Sequence, residues 1–68
     1  MGVSTLSPAE LRLLPYLQTH LTHEEIGQRL YVSLNTVRTQ TQSIYRKLGV
    51  SSRANAVERA RRVGLLAG

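Results

Sequence analysis

The sequence predicts an all-α fold, a compact domain of four helices. Three observations predict it. Ser7, Thr22, Ser33 and Ser52 each stand just before apolar residues at helical spacing, where a side-chain oxygen caps a helix N-terminus. Gly49 and Gly64 follow two of those apolar series, at the place where a helix commonly ends on a left-handed residue. No segment alternates apolar and polar residues as a half-buried strand does. At 68 residues the chain is one domain, 1–68, with frayed ends expected over 1–5 and 67–68.

The first helix starts at Leu6-Ser7-Pro8-Ala9-Glu10-Leu11. Ser7 and Glu10 have capping-box spacing, and Leu6 and Leu11 have that of a hydrophobic staple. Pro8 falls at the first helical position, where its missing N–H costs nothing. Leu11, Leu14 and Leu17 are expected to form the apolar face. Pro15 removes a helical hydrogen bond and crowds the preceding turn, which predicts a kink or an early end near Leu14.

Thr22 and Glu25 repeat the capping box, and Ile26 and Leu30 give a short second helix its apolar face. Gly27 weakens that helix by up to about 1 kcal/mol relative to Ala, so a close helix crossing is expected there. Tyr31–Ser33 suffices for a tight turn, after which Ser33 caps a third helix over about 34–48. Val37, Thr41, Ile44 and Leu48 recur at i, i+4, i+7, i+11 and define its core face. Asn35, Arg38, Thr39, Gln42 and Arg46 fall on the opposite face. In the fourth helix, capped by Ser52, the apolar stripe is Ala56, Val57, Ala60 and Val63. Gly64 is expected to end it, with Leu65 folding back in a Schellman motif.

Nine Lys+Arg against four acidic residues give a formal charge of +5. No acid lies between Glu25 and Glu58, a stretch that carries Arg29, Arg38, Arg46, Lys47 and Arg53. A basic segment of this kind points to a polyanionic partner. The absence of Cys excludes disulfides and thiolate metal sites. His20 and His23 lack the spacing and companions of a metal site. There is no Gly-rich phosphate loop after a strand and no credible Ser–His–Asp set, so neither an enzyme, a cofactor nor a metal is expected. No apolar run approaches the roughly 20 residues of a membrane span. The first residues lack the charged and apolar regions of a secretory signal, so a cytoplasmic location is expected.

A short helix, a turn of about three residues and a longer helix make a helix-turn-helix. The major groove of DNA admits one helix, whose N-terminal residues reach the base edges. Asn, Gln, Arg and Thr carry the donors, acceptors and methyl groups used there. A merely solvated helix face commonly mixes Glu with Lys at i,i+4, and this one has no Glu. Double-stranded DNA is therefore the expected partner.

Residues 21–57, with V-S-L-N-T-V-R-T followed by I-Y-R-K-L-G-V-S-S-R, resemble the LuxR-type helix-turn-helix domain. The likeness extends from Leu6 to Leu66. It implies a four-helix domain that binds DNA for a bacterial transcription regulator, with the third helix in the major groove. Carried over by position, Arg38, Thr39 and Gln42 are the base contacts. Thr22, Ser33, Asn35, Thr36, Gln40, Arg46 and Lys47 are the phosphate contacts. The resemblance also implies a two-fold homodimer contact through the fourth helix on DNA, and the isolated domain is expected to be monomeric at low concentration. The sequence departs from the family pattern at Arg12, Pro15, His20, Gly27 and Gln40. Tyr31, Asn35 and Ile44–Lys47 look most like large actinobacterial regulators in which such a domain closes a long chain. An excised C-terminal part is thus the favoured expectation, and a short freestanding regulator the alternative. The competing reading of the function is a protein-interaction module that docks RNA polymerase or another partner through the fourth helix. Single-stranded nucleic acid would need stacking platforms, and Tyr16, Tyr31 and Tyr45 are the only aromatics.

Overall fold

The computed structural model describes residues 6–67. The expected ends at 1–5 and 68 lie outside these residues, and Ala67 is exposed. The order is α1 (Pro8–Leu13), a 3-10 helix (Leu14–Gln18), α2 (His23–Leu30), α3 (Leu34–Leu48) and α4 (Arg53–Arg62), with no strand among the described residues. α3 packs against α1, α2 and α4, and α4 closes over the 3-10 helix. The core joins Leu13, Leu14 and Leu17 to Ile26, Val37, Ile44, Leu48, Ala56 and Ala60.

All four expected caps form. The Ser7 and Thr22 hydroxyls accept from the Glu10 and Glu25 amides, and each carboxylate accepts in return from its cap's amide at 2.8 Å. Ser33 and Ser52 accept from the amides of Thr36 and Asn55. Gly49 and Gly64 adopt positive φ. The paired bonds Val50 N–H to the Tyr45 carbonyl and Gly49 N–H to that of Arg46 close α3 as a Schellman motif. Leu65 to Ala60 and Gly64 to Arg61 do the same for α4. The α2–α3 turn uses a tyrosine instead. Tyr31 sits at φ 59°, ψ 40° with its side chain 94% exposed, a backbone conformation that disfavours L-residues by about 1–2 kcal/mol.

Pro15 stops α1 at Leu13, and the chain continues as the 3-10 helix. The buried face of this segment differs from the expected one. It is Glu10, Leu13, Leu14 and Leu17, while Leu11 is 43% exposed. Leu6 is buried, whereas Leu11, the other member of the expected staple, stands largely in solvent. The reason is that Glu10 occupies a position on the apolar stripe. It lies there 5% exposed, with its carboxylate 2.8 Å from Lys47 Nζ on α3.

Gly27 meets a different neighbour from the crossing helix that was expected. A Cβ there would lie 2.7 Å from the Val32 carbonyl oxygen and 3.4 Å from Val37 Cγ2. The turn's own backbone folds back over the glycine, with α3 next behind it. In α4 the expected stripe holds for Ala56, Val57 and Ala60, but Val63 is 39% exposed. The chain reverses at Gly64 just beyond it, and Leu66 closes the core instead. The core also holds the Thr41 hydroxyl, buried without a partner among the described residues.

Candidate nucleic-acid interface

α3 divides by its own periodicity. Val37, Thr41, Ile44 and Leu48 are buried, and Asn35, Arg38, Thr39, Gln42 and Arg46 are all exposed on the opposite side. The helix contains no acidic residue. Its outward surface therefore carries two guanidiniums and three neutral donor–acceptor groups, with no carboxylate of its own to repel phosphate.

The remaining candidates lie around this face. Ser33 is exposed and Thr36 half-buried at the N-terminus of α3, with their hydroxyl oxygens 2.9 Å apart. Both side chains therefore serve the cap while keeping hydrogen-bonding capacity for a phosphate. Thr22 is exposed at the start of α2, but its amide is already satisfied by the Glu25 carboxylate. The unpartnered amides of that helix end lie beyond it, in the first turn. Gln40 is half-buried in a small cleft with Ala9, Arg12, Leu30 and Val32, on the flank of α3 that turns toward α1.

Lys47 lies on that same flank, away from the exposed face. Its ammonium donates to Glu10, so its charge is already matched inside the protein. Burial alone would raise the Glu10 pKa and is the largest single influence on it. Hydrogen bonds from Lys47, Ser43 and the Ser7 amide, together with the Lys47 charge, outweigh burial and hold the carboxyl at about 2.

Arg53 has a role that sequence reading missed. Its Nε–H donates to the Leu17 carbonyl at 2.9 Å, and its Nη2 to the carbonyls of Tyr16 and Thr19, both at 3.0 Å. One guanidinium thus caps the end of the 3-10 helix and fastens α4 to the segment that leads into α2. Nothing local to Arg53 announces carbonyls 34–37 residues away. Glu10 did carry a signal, because an acid in register with Leu13, Leu14 and Leu17 needs a cation if it is buried.

Residues 4–60 match the family model described as bacterial regulatory proteins, luxR family. The chain is 43% identical over 61 residues to the transcriptional regulatory protein NarL of Mycobacterium tuberculosis, covering 90% of this chain and 28% of that one. It is 36% identical over 63 residues to a helix-turn-helix transcriptional regulator of Mycobacterium bovis, and 35% to the regulator AlkS of Alcanivorax borkumensis. Those two matches cover 93% of this chain and 7% of each relative. The chain thus spans a small part of the relatives it matches. Among solved structures, the response regulator ChrA of a heme-sensing two-component system superimposes with a TM-score of 0.87 at 33% identity, covering 97% of this chain and 33% of that one.

Proposed function

We propose, from the premise that this chain belongs to the luxR family of bacterial regulatory proteins, that it is the effector domain of a transcriptional regulator and binds double-stranded DNA with α3 in the major groove. The observation that carries the reading is the exposed face of α3, which presents Asn35, Arg38, Thr39, Gln42 and Arg46 and holds no acid. In this proposal Arg38, Thr39 and Gln42 read base edges. Arg38 has the fork for guanine O6 and N7, and Gln42 the amide for adenine. Ser33, Asn35, Thr36 and Arg46 hold phosphates around α3, Thr22 holds one from α2, and Gln40 one from the flank. Lys47 is assigned to Glu10 and leaves the phosphate set. The reading places the protein in the cytoplasm and gives it no catalytic role.

Pairing of two copies on DNA is proposed through the outer face of α4. Ala56, Val57 and Ala60 are committed to the core, and the outer face shows Arg59, Arg61 and Arg62 beside Ala54 and Val63. So charged a surface supports weak pairing only. Docking of RNA polymerase is the competing use of that face.

The test is Arg38→Ala, measured on a selected site and on the same site changed at each base pair. The expected loss is roughly 1–3 kcal/mol on the selected site, with discrimination relaxed at one base pair. An equal loss on every sequence would show that Arg38 contacts the backbone and reads no base.

A further inference from the structure

The line of phosphate contacts on α3 ends beside an arginine of α1. Thr36 and Gln40 stand four residues apart and so share one side of the helix. Thr36 is joined to the cap by the 2.9 Å approach of its hydroxyl to that of Ser33. This side leads into the cleft of about 50 Å³ that Gln40 shares with α1. Gln40 forms its α3 wall, Ala9 and Arg12 the α1 wall, and Leu30 and Val32 the wall at the α2–α3 turn. The turn wall is fixed in advance. Val32 N–H donates to the Gly27 carbonyl at 2.9 Å, and the Val32 carbonyl oxygen lies 2.7 Å from where a Gly27 Cβ would stand, so the turn is seated on α2 without slack. Arg12 is exposed in the last turn of α1. The two ion pairs among the described residues are Glu10–Lys47 and Glu58–Arg62, so no carboxylate matches its charge, and no acid lines the cleft. The helix dipole accounts for a cation in a last turn, but not for its place on a cleft shared with Gln40.

We infer that this cleft receives one sugar–phosphate unit of the bound DNA, with Arg12 joining Gln40 on the phosphate and Ala9, Leu30 and Val32 meeting the apolar edge of the deoxyribose. The inference rests on the DNA-binding reading and extends its contact surface from the helix-turn-helix onto α1. A guanidinium is the side chain best suited to a phosphate, and an unmatched one beside the flank of a DNA-reading helix is placed to meet it. Two features select the DNA backbone over a protein partner. The cleft has room for about one or two water-sized groups, too little for the aromatic or aliphatic anchor that a protein inserts. Its lining, a cation and an amide beside three apolar side chains, matches the two halves of a sugar–phosphate unit.

The experiment measures duplex affinity between about 50 and 200 mM salt for the natural protein, for Arg12→Ala and for the control Arg29→Ala, which removes an exposed arginine outside the cleft. Arg12→Ala is expected to bind roughly three- to tenfold more weakly on every sequence alike, with the salt slope lowered by about one. Arg29→Ala is expected to leave the slope unchanged. The measurement is then repeated on duplexes in which single phosphates are replaced in turn by neutral methylphosphonates. At one position the natural protein should lose roughly three- to tenfold and Arg12→Ala less than about twofold, the mark of a shared contact. A slope that Arg12→Ala leaves unchanged, an equal loss in Arg29→Ala, or the lack of any phosphate whose removal the Arg12 variant alone tolerates would overturn the inference and leave the DNA-binding reading standing. Absence of duplex binding by the natural protein even at low salt would overturn both.

Discussion

Replacing Arg53 by Ala lowers the stability of the domain by about 2–4 kcal/mol. The guanidinium donates to three main-chain carbonyls from a half-buried position, and hydrogen bonds to a charged group are each worth about 1.5–3 kcal/mol net. Because the bonds share one side chain and partly face solvent, the whole is less than their sum. Removal also takes the Arg53 donor from the Leu17 and Thr19 carbonyls at the end of the 3-10 helix, whereas the Tyr16 carbonyl keeps the Thr19 N–H and hydroxyl. Domains of this length hold only about 3–10 kcal/mol in total, so the loss should appear as a fall in Tm of about 10–25 °C. Lys should rescue little, since one ammonium cannot reproduce the planar fork. Arg61→Ala is the reference. Its side chain is exposed and makes one bond, of 3.3 Å, to Gln18, and the change should stay within about 0.5 kcal/mol. A loss below about 1 kcal/mol for Arg53→Ala in thermal and urea unfolding would show that the three bonds do not fasten α4.

The pair formed by Glu10 and Lys47 makes the second large prediction. The Glu10 carboxyl is held at about 2 in the folded protein, against an ordinary 4.5. A depressed acid stabilises the fold in its ionised form. The contribution is therefore complete above about pH 4.5 and lost as pH falls from there toward 2, for a total of about 3 kcal/mol. His23, held below 6.5, costs stability at a higher pH, as the unfolded chain takes up that proton first. The Glu10 contribution is thus read as the difference between wild type and Glu10→Gln in urea unfolding from pH 7 to pH 2. The two curves should converge at the acid end. Lys47→Ala leaves the buried carboxylate without its cation and should cost about 2–3 kcal/mol at pH 7, less than for a fully buried pair because Lys47 is partly exposed. Its effect on DNA binding separates the two assignments of this residue. A residue engaged by Glu10 leaves the salt dependence of binding by the folded protein unchanged, whereas loss of a phosphate contact lowers the slope by about one. Arg46→Ala should lower it by that amount.

What could be read from the sequence and what could not divide by range. The caps at Ser7, Thr22, Ser33 and Ser52, the glycine ends of α3 and α4 and the break at Pro15 are decided within four or five residues, and the structure shows each in place. The exposed face of α3 was legible for a related reason. Four core residues at helical spacing settle the opposite face by geometry alone. Glu10 misled the reading of α1 because its burial depends on Lys47, 37 residues away, and a polar residue on the stripe made Leu11 look like its member in place of Leu13. Arg53 was read as one more charge of a basic segment, since its carbonyl partners belong to another part of the chain. Lys47 looked like an interface residue in the linear pattern, and only the packing of α1, which brings Glu10 to its ammonium, shows its engagement inside the protein.

The most direct test of the DNA-binding account is an amide NMR titration of the labelled domain with a mixed-sequence duplex at low salt. The account predicts salt-sensitive shifts clustered in Thr22–Glu25 and Ser33–Arg46. Absent shifts, or shifts confined to Arg53–Leu66, would contradict it and turn the assignment toward a protein partner on α4.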